Sequence, residues 1–217
     1  EGASESFIHL EIDRQPQAAM ASIKASIERV LDDVRAIVAD WNPMQAKMLA
    51  VADDLGERRM PVSEEGRREA QEFLRWAADN HFTFLGYREY KVAKQGKDEL
   101  LVADEDSSLG LLRGKDAGKP RSLKSLAAHY MPQSGSVDAL ILTKTNARAT
   151  VHRPGYMDYI GVLGFDKHGK PVAEQRFLGL YTSSAYRRRP WDIPLVRERH
   201  EYVLRQSGLN PTSHSGK

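Results

Sequence analysis

The spacing of apolar residues changes from a two-residue period to a helical period within the first forty residues. Residues 6–13, SFIHLEID, alternate in character and predict one isolated strand. From Met20 onward, the apolar residues that share one helical face are Ile23, Ile27, Val30, Leu31, Val34, Ile37, Val38 and Trp41. A residue that precedes proline is disfavoured in the helical conformation, so Asn42-Pro43 is expected to end this helix.

Two further helices are predicted before residue 80. The first covers residues 44–55, and Gly56 follows it as a C-terminal cap. The second begins after Ser63, whose hydroxyl can cap a helix, and Glu64–Glu65 place negative charge in its first turn. Its apolar stripe consists of Ala70, Phe73, Leu74 and Ala77. The first 80 residues are therefore expected to be mostly helical.

Beyond residue 80 the pattern favours extended strands joined by tight turns. HFTFLGYREYKV, which starts at His81, alternates and is rich in aromatic residues, and ELLVAD at 99–104 should pair with it. VDALILTK at 137–144 predicts another strand. The runs at 157–166 and 172–181 predict a hairpin around the turn DKHGK, in which glycine supplies a positive φ. Strands connected in this way form an antiparallel sheet.

Three shorter segments complete the predicted elements. LGLLRG at 109–114 is typical of a short strand or turn, and LKSLAAHY at 123–130 of a short helix. Pro194 opens a closing helix that is expected to extend to about Gln206. The fold class predicted from these elements is α+β, with a helical N-terminal segment followed by an antiparallel sheet with flanking helices.

Composition and charge exclude several classes of protein. The 217 residues are 41% hydrophobic, which is enough for one substantial core or two small ones. The formal net charge is only +2, so the chain lacks the basic excess of a typical nucleic-acid binder. Cysteine is absent, which excludes disulfides and thiolate metal sites and is compatible with a cytoplasmic protein. The sequence contains no apolar run of membrane-spanning length and no signal-peptide pattern. Because it does not begin with methionine, we expect a piece of a longer protein.

The usual catalytic motifs do not occur in the sequence. It contains no GxGxxG dinucleotide-binding fingerprint, no phosphate loop ending in GK[ST], and no GxSxG nucleophile elbow. The histidines are scattered without HxH or HxxxH spacing, so no metal site is expected. Arg187–Arg189 could contact phosphate or an acidic protein surface, but a solvated corner between sheet and helix explains them more simply. We therefore predict no catalytic, cofactor-binding or metal-binding residue in this chain.

One polar stretch leaves two interpretations open. LTKTNARATVHRPGYMDY, at 142–159, could bind a carboxylate or phosphate through Lys144, Asn146, Arg148 and Arg153. Alternatively, it is a structural crossing between two strands, in which the arginines pair with local acids such as Asp158. The second interpretation is favoured because the stretch lacks a nucleophile–base pair and Pro154-Gly155 signals a turn.

Several long and unusual strings occur together along the chain. They are HFTFLGYREY at 81–90, LGLLR at 109–113, LTKTNARATVHRPGYMDYIGV at 142–162, RFLGLYTSSAY at 176–186 and DIPLVRER at 192–199. With SFIHLEIDRQ and GLNPTSHSGK at the two ends, they resemble the very large bacterial NAD-specific glutamate dehydrogenases across essentially the whole chain. The resemblance implies a non-catalytic piece from the N-terminal half of such an enzyme, where ACT-like and PAS-like modules occur.

The resemblance also implies a domain organisation. Residues 1–14 would be the last strand of a truncated ACT-like module, and residues 15–80 a helical connector. Residues 81–206 would form a PAS-like domain, and residues 207–217 the start of a linker. NAD would bind to the parent enzyme and not to this piece. The expected partners are other domains and subunits of a cytoplasmic homo-oligomer, with no nucleic acid and no membrane.

Two roles fit these expectations. A structural role would have a fully packed sheet that only makes domain and subunit contacts. A sensory role would have a PAS-like pocket that binds a small anionic effector. Bulky residues on both faces of the strands at 157–166 and 172–181 favour the structural role. If the chain were an enzyme by itself, its catalytic residues would have to come from the polar stretch at 142–159 alone.

Overall fold

The computed structural model describes residues 9–57, 62–123, 141–148, 156–166, 168 and 170–182. Two helices are followed by six strands: α1 (Met20–Glu57), α2 (Glu64–Trp76), β1 (Phe82–Gln95), β2 (Asp98–Gly110), β3 (Arg121–Ser122), β4 (Ile141–Arg148), β5 (Tyr156–Phe165) and β6 (Pro171–Tyr181). A short 3-10 turn precedes α1, and a kinked turn over Ala77–His81, in which Asp79 and Asn80 are not helical, joins α2 to β1. The predicted α+β fold is confirmed.

The strand predicted over residues 6–13 is wrong where its residues are described. Residues 9–16 form neither helix nor strand, and Leu10 and Ile12 are 58% and 60% exposed. A strand is stabilised by hydrogen bonds to a neighbour, and the strands of the described sheet pair with one another instead. The alternating pattern therefore does not produce a strand at residues 9–16, because these residues pair with no strand of the described sheet.

Helix α1 passes through Pro43 without ending, contrary to the prediction from Asn42-Pro43. An internal proline costs a helix about 3 kcal/mol. Packing on both sides of the proline outweighs this cost. The buried residues of the helix are Ile37, Asp40, Met44, Met48, Val51, Ala52 and Leu55.

Gly56 is a helical residue inside α1 and not the predicted C-terminal cap. A Cβ at Gly56 would lie 2.5 Å from Nε2 of Gln71 in α2. That amide donates to the carbonyl of Ala52, 3.0 Å away, and Arg67 donates to the carbonyl of Gly56, 2.7 Å away. The glycine therefore allows close packing of the two helices.

The predicted start of α2 is confirmed in detail. The Ser63 hydroxyl accepts a hydrogen bond from the Gly66 amide at 3.0 Å, and Glu64 and Glu65 lie in the first turn. At the other end Asn80 takes φ +58°, a conformation that asparagine tolerates better than most residues, and the chain turns into β1.

The described strands form one antiparallel sheet in the order β3-β2-β1-β6-β5-β4. Both predicted hairpins are present, since Gln95 pairs with Asp98 and Phe165 pairs with Pro171. In the second turn Asp166 Oδ1 accepts from the amides of His168 and Lys170. Of the strands that the structure describes, the first and the last along the chain, β1 and β6, lie side by side at the centre.

Several predicted segments differ in extent or lie outside the described residues. Strand β2 continues to Gly110, after which the chain turns. Strand β4 covers Ile141–Arg148, so part of the polar stretch is strand where a crossing was expected, and positions 137–140 of the predicted strand lie outside the described residues. The helix at 123–130 beyond its first residue and the closing helix at 194–206 lie outside the described residues.

Both faces of the β5–β6 hairpin are covered, as predicted from its bulky residues. Ile160 and Phe177 are fully buried on one face, and Leu163 and Leu178 are buried on the other. On the first face the ring of Phe177 packs against Phe84, which in turn meets Trp41 of α1 edge-on at 5.8 Å. The second face carries a polar cluster.

Candidate functional site

Charged side chains occupy the otherwise apolar second face of the central strands. Tyr90 of β1 pairs with Glu174 of β6, and Tyr159 of β5 pairs with Leu178. Because alternate strand residues share a face, Glu174 and Arg176 lie on the same side as these two tyrosines. Arg121 lies on β3, which pairs with β2, and its side chain reaches Glu174. We call these residues the Glu174 cluster: Tyr90, Arg121, Tyr159, Glu174 and Arg176.

The carboxylate of Glu174 is fully buried and heavily hydrogen-bonded. Its Oε2 atom accepts from Arg121 Nη2 at 2.7 Å and from Arg176 Nε and Nη2 at 2.9 and 2.7 Å. Its Oε1 atom accepts from the hydroxyl of Tyr159. Charge-assisted hydrogen bonds of this kind compensate the cost of removing a carboxylate from water.

Aromatic rings support the arginines. The guanidinium carbon of Arg176 lies 3.9 Å from the centre of the Tyr90 ring and 5.2 Å from that of Tyr159. The guanidinium of Arg121 lies 5.6 Å from the Tyr90 ring. A cation over an aromatic face is attracted to the ring, most strongly when it is desolvated. The side chain of Arg176 is only 16% exposed, so this attraction contributes to holding its charge there.

A second polar contact, centred on Asp40, fixes α1 to the end of β2. The buried carboxylate accepts from the Gly110 amide at 2.7 Å and from Arg113 Nε and Nη2 at 3.1 and 2.5 Å. Burial raises the pKa of Asp40, but the bonds from Arg113 and Gly110, with the charge of Arg113, bring the pKa below its usual value. Gly110 itself has φ +58°, and a Cβ there would collide with the Leu85 carbonyl.

Replacing Asp40 with asparagine is expected to reduce the free energy of unfolding at pH 7 by about 1–2 kcal/mol. A carboxyl whose folded pKa is depressed stabilises the protein above its unfolded pKa of about 4 and loses this contribution as pH falls through the folded value. Urea unfolding of both proteins between pH 7 and pH 2.5 should therefore show a difference that shrinks below about pH 4.

The control for this measurement is Asp53→Asn on the same helix. Asp53 makes an exposed ion pair with Arg75, and such pairs contribute little to stability. A stability difference between wild type and Asp40→Asn that stays constant down to pH 2.5 would contradict the expected linkage.

Three of the four residues predicted for anion binding lie on β4, a different strand from those that carry Glu174 and its arginines. Lys144, Asn146 and Arg148 belong to β4, at the edge of the described sheet, and Arg153 lies outside the described residues. By register Lys144 pairs with Tyr159, and the pairing is irregular between Thr145 and Arg148. Their grouping into an anion site stays a prediction.

Reasoning from the sequence missed the Glu174 cluster. In the sequence, the cluster is marked only by Glu174 and Arg176, which lie two positions apart in a predicted strand whose last residues are apolar. The partners Tyr90 and Arg121 lie far away along the chain, and only the strand order brings them together. A charged pair on one face of a predicted strand could have marked this face as unusual.

The described ranges hold neither a cluster of metal ligands nor a membrane-spanning helix. These ranges contain no group of three or more histidine or acidic side chains placed to hold a metal ion. Neither helix in this part of the chain combines the length and apolarity needed to cross a membrane.

Nearly the whole chain is similar in sequence to proteins that share one name. It is 37% identical over 216 residues to the NAD-specific glutamate dehydrogenase of Pseudomonas aeruginosa, a match that covers 99% of this chain. The corresponding protein of Halomonas elongata is 34% identical over 224 residues, with the same coverage. That of Mycobacterium tuberculosis is 25% identical over 202 residues, or 91% of the chain. The chain is similar to NAD-specific glutamate dehydrogenases.

These matches cover only a small part of each relative. The chain spans 13% of the Pseudomonas protein, 14% of the Halomonas protein and 11% of the Mycobacterium protein. The family described as glutamate dehydrogenase, helical motif 1, matches residues 193–217. This match includes residues 207–217, which the sequence predicts to be a linker. These relatives therefore confirm the resemblance to NAD-specific glutamate dehydrogenases that the sequence indicates. The ACT-like and PAS-like assignments stay predictions.

Proposed function

We propose that this chain is an architectural segment of an NAD-specific glutamate dehydrogenase. The parent enzyme would convert glutamate, NAD and water to 2-oxoglutarate, ammonia and NADH in the cytoplasm, using catalytic residues outside this segment. Support comes from the named relatives and from the small share of their length that the chain spans. The PAS-like assignment of residues 81–206 belongs to the same proposal, and the antiparallel sheet with adjacent first and last strands supports it.

The observation that carries this role is an uncovered apolar face on α1. Buried residues in the helix begin at Ile37, although the apolar pattern begins at Met20. Among the residues before and beside this boundary, Ile27 is 36% exposed, Val30 and Val34 are each 38% exposed, and Val38 is 69% exposed. The part of the helix before Ile37 is about 25 Å long at 1.5 Å per residue.

The uncovered face has the spacing of a coiled-coil seam. Apolar residues alternate by three and four positions at Met20, Ile23, Ile27, Val30, Val34, Ile37 and Trp41. Such a heptad pattern suits packing against another helix with the same repeat. At Ile37 and Trp41 the same seam packs onto the sheet. The C-terminal end of the seam therefore packs on the sheet of the same chain. Its N-terminal end, with Ile27, Val30 and Val34, is exposed and can contact a partner.

A second copy of the chain fits this open end. Between Met20 and Ile37 the charged residues balance, with Lys24, Arg29 and Arg35 against Glu28, Asp32 and Asp33. Two such faces would therefore meet without net repulsion. The ion pairs Lys24–Glu28 and Arg35–Asp32 form within the helix, so they leave the seam itself apolar. We propose that α1 contacts α1 of a neighbouring subunit in a homo-oligomer.

Replacing Val34 with aspartate should weaken self-association of the chain at least about tenfold. Burying a valine side chain contributes about 1.5–3 kcal/mol, and a buried unpaired carboxylate opposes association further. Sedimentation equilibrium of the wild type and the variant over a range of concentrations measures the change.

The matched control is Ala25→Asp, which adds the same charge to an exposed position on the opposite side of α1. It should leave the association constant within about threefold of the wild-type value, because its charge stays in water. A wild-type chain that remains monomeric at about 100 µM would contradict the proposed subunit contact, since that concentration corresponds to a weak association.

The alternative function is a PAS-like sensor of a small anionic effector. In the described part of the Glu174 face, Arg121 and Arg176 share a single carboxylate, and this excess of positive charge supports the alternative because guanidinium groups bind anions.

A further inference from the structure

We propose that the sheet face around Glu174 binds a small oxyanion, a carboxylate or a phosphate, through Arg121 and Arg176. The proposal deepens the sensory alternative and is independent of the contact proposed for α1. It differs from the grouping of Lys144, Asn146, Arg148 and Arg153, because it places the anion on the central strands and β3. The three observations that support it are a charge imbalance, an unused buried donor and an accessible route.

Among the residues that the structure describes, the charge imbalance involves three arginines and one carboxylate. Arg88 pairs with Arg176 across β1 and β6, so the two side chains leave the same face of the sheet. Arg88 is 2% exposed and donates only to neutral acceptors: the Ser108 hydroxyl and the carbonyls of Leu112 and Lys115. Among the described residues, Glu174 is the carboxylate that pairs with Arg121 and Arg176. Like charges on opposed strand positions repel, and a bound anion would offset this repulsion.

A buried donor without an acceptor, Nε of Arg121, accompanies the excess charge in the described part of the chain. Each guanidinium offers five N–H groups. Arg121 donates to Glu174 through Nη2, and its Nε atom is buried without an acceptor within the described part of the chain. A buried donor without a partner commonly indicates an unseen water or ion. The planar fork of a guanidinium matches the two oxygens of a carboxylate or phosphate, which makes an oxyanion the preferred ligand class.

Access to the cluster is from the Arg121 side. The side chain of Arg121 is 39% exposed, whereas that of Arg176 is 16% exposed and lies over the Tyr90 ring. Glu174 is fully buried behind both arginines, so its own charge is already neutralised by them. An anion would therefore meet Arg121 first and reach the edge of Arg176 from there.

The test compares anions at constant ionic strength in the 217-residue chain. Acetate and inorganic phosphate are each exchanged for chloride, and melting temperature is recorded for wild type, Arg121→Lys and Arg148→Lys. Arg121→Lys keeps the positive charge but removes the Nε donor and the planar fork. We expect at least one of the two anions, at ten times its dissociation constant, to raise the wild-type melting temperature by about 3–6 °C. The shift should be lost in Arg121→Lys and kept in Arg148→Lys.

A second measurement does not depend on the variants folding. In the wild-type chain, the Nε–H resonance of Arg121 in a proton–nitrogen correlation spectrum should shift progressively with added acetate or phosphate. Response to acetate alone identifies a carboxylate site, and response to phosphate alone identifies a phosphate site. Absence of any shift of this resonance at 50 mM of either anion would overturn the proposal, as would a thermal shift lost only in Arg148→Lys. Repeating the titration with Val34→Asp separates this outcome from any failure of the α1 contact.

Discussion

Replacing Glu174 with alanine is expected to lower the free energy of unfolding by about 3–5 kcal/mol, because it breaks a buried ion-pair network from one side. The substitution would leave Arg176 near the protein interior without the carboxylate that accepts both of its hydrogen bonds. It would also leave the Tyr159 hydroxyl without its acceptor at Oε1. Urea unfolding monitored by circular dichroism measures the loss directly.

A partly exposed carboxylate in the same sheet, with a side chain that is 27% exposed, provides the control. Asp104 pairs with Lys91 across β1 and β2, and the lysine side chain is 63% exposed. Asp104→Ala should cost no more than about 1 kcal/mol, as is usual for ion pairs that remain in water. If Glu174→Ala also costs less than about 1 kcal/mol, the buried network does not stabilise the sheet as its geometry indicates.

Gly179→Val is expected to destabilise the chain by about 3 kcal/mol or more through overpacking. Gly179 lies in the middle of β6, opposite Phe84 of β1 and Asp158 of β5. A Cβ at this position would lie 2.5 and 2.7 Å from Cε1 and Cζ of Phe82 and would also collide with the Thr83 carbonyl. Phe82 is buried and the carbonyl belongs to the backbone of a central strand, so neither can move cheaply. The shift of the urea midpoint measures the effect.

Gly164→Ala on β5 is the appropriate comparison. A Cβ there would lie 3.3 Å from the Cβ of Ala173, a tight contact that a small movement can relieve. Its cost should stay below about 1.5 kcal/mol. A Gly179→Val midpoint equal to that of the wild type would mean that Phe82 leaves this position without penalty.

The elements that could be predicted from the sequence depend on residues close together in the chain. Ser63 caps α2 through an amide three residues away, and the β5–β6 turn is organised by Asp166 within four residues. Signals of this range can be recognised without knowing the tertiary structure. The glycine at 179 was also recognisable, because glycine inside a strand indicates a close approach by another group.

The features that were missed depend on distant partners. Pro43 predicts a helix end locally, but buried contacts on both sides of it keep α1 continuous. The alternation in residues 6–13 predicts a strand, yet residues 9–16 have no neighbour to pair with in the described sheet. Arg121 reaches Glu174 only because β2 and β3 fold beside β1, next to β6. Neither the absence of a strand at residues 9–16 nor the contact between Arg121 and Glu174 can be recognised from a few consecutive residues of the sequence.

The continuity of α1 through Pro43 gives the molecule a lever. From Ile37 onward the helix has buried contacts on both sides of Pro43, while the part between Met20 and Ile37 is largely exposed. The proline nitrogen carries no hydrogen, so one backbone bond of the helix is missing, but the buried contacts on either side hold the helix axis at that point. The distance from Ile37 to Met20 is about 25 Å along the helix, so a tilt of about 5° at the anchored part would displace the far end by about 2 Å. A small rearrangement at the sheet would thus be magnified at the tip of the helix.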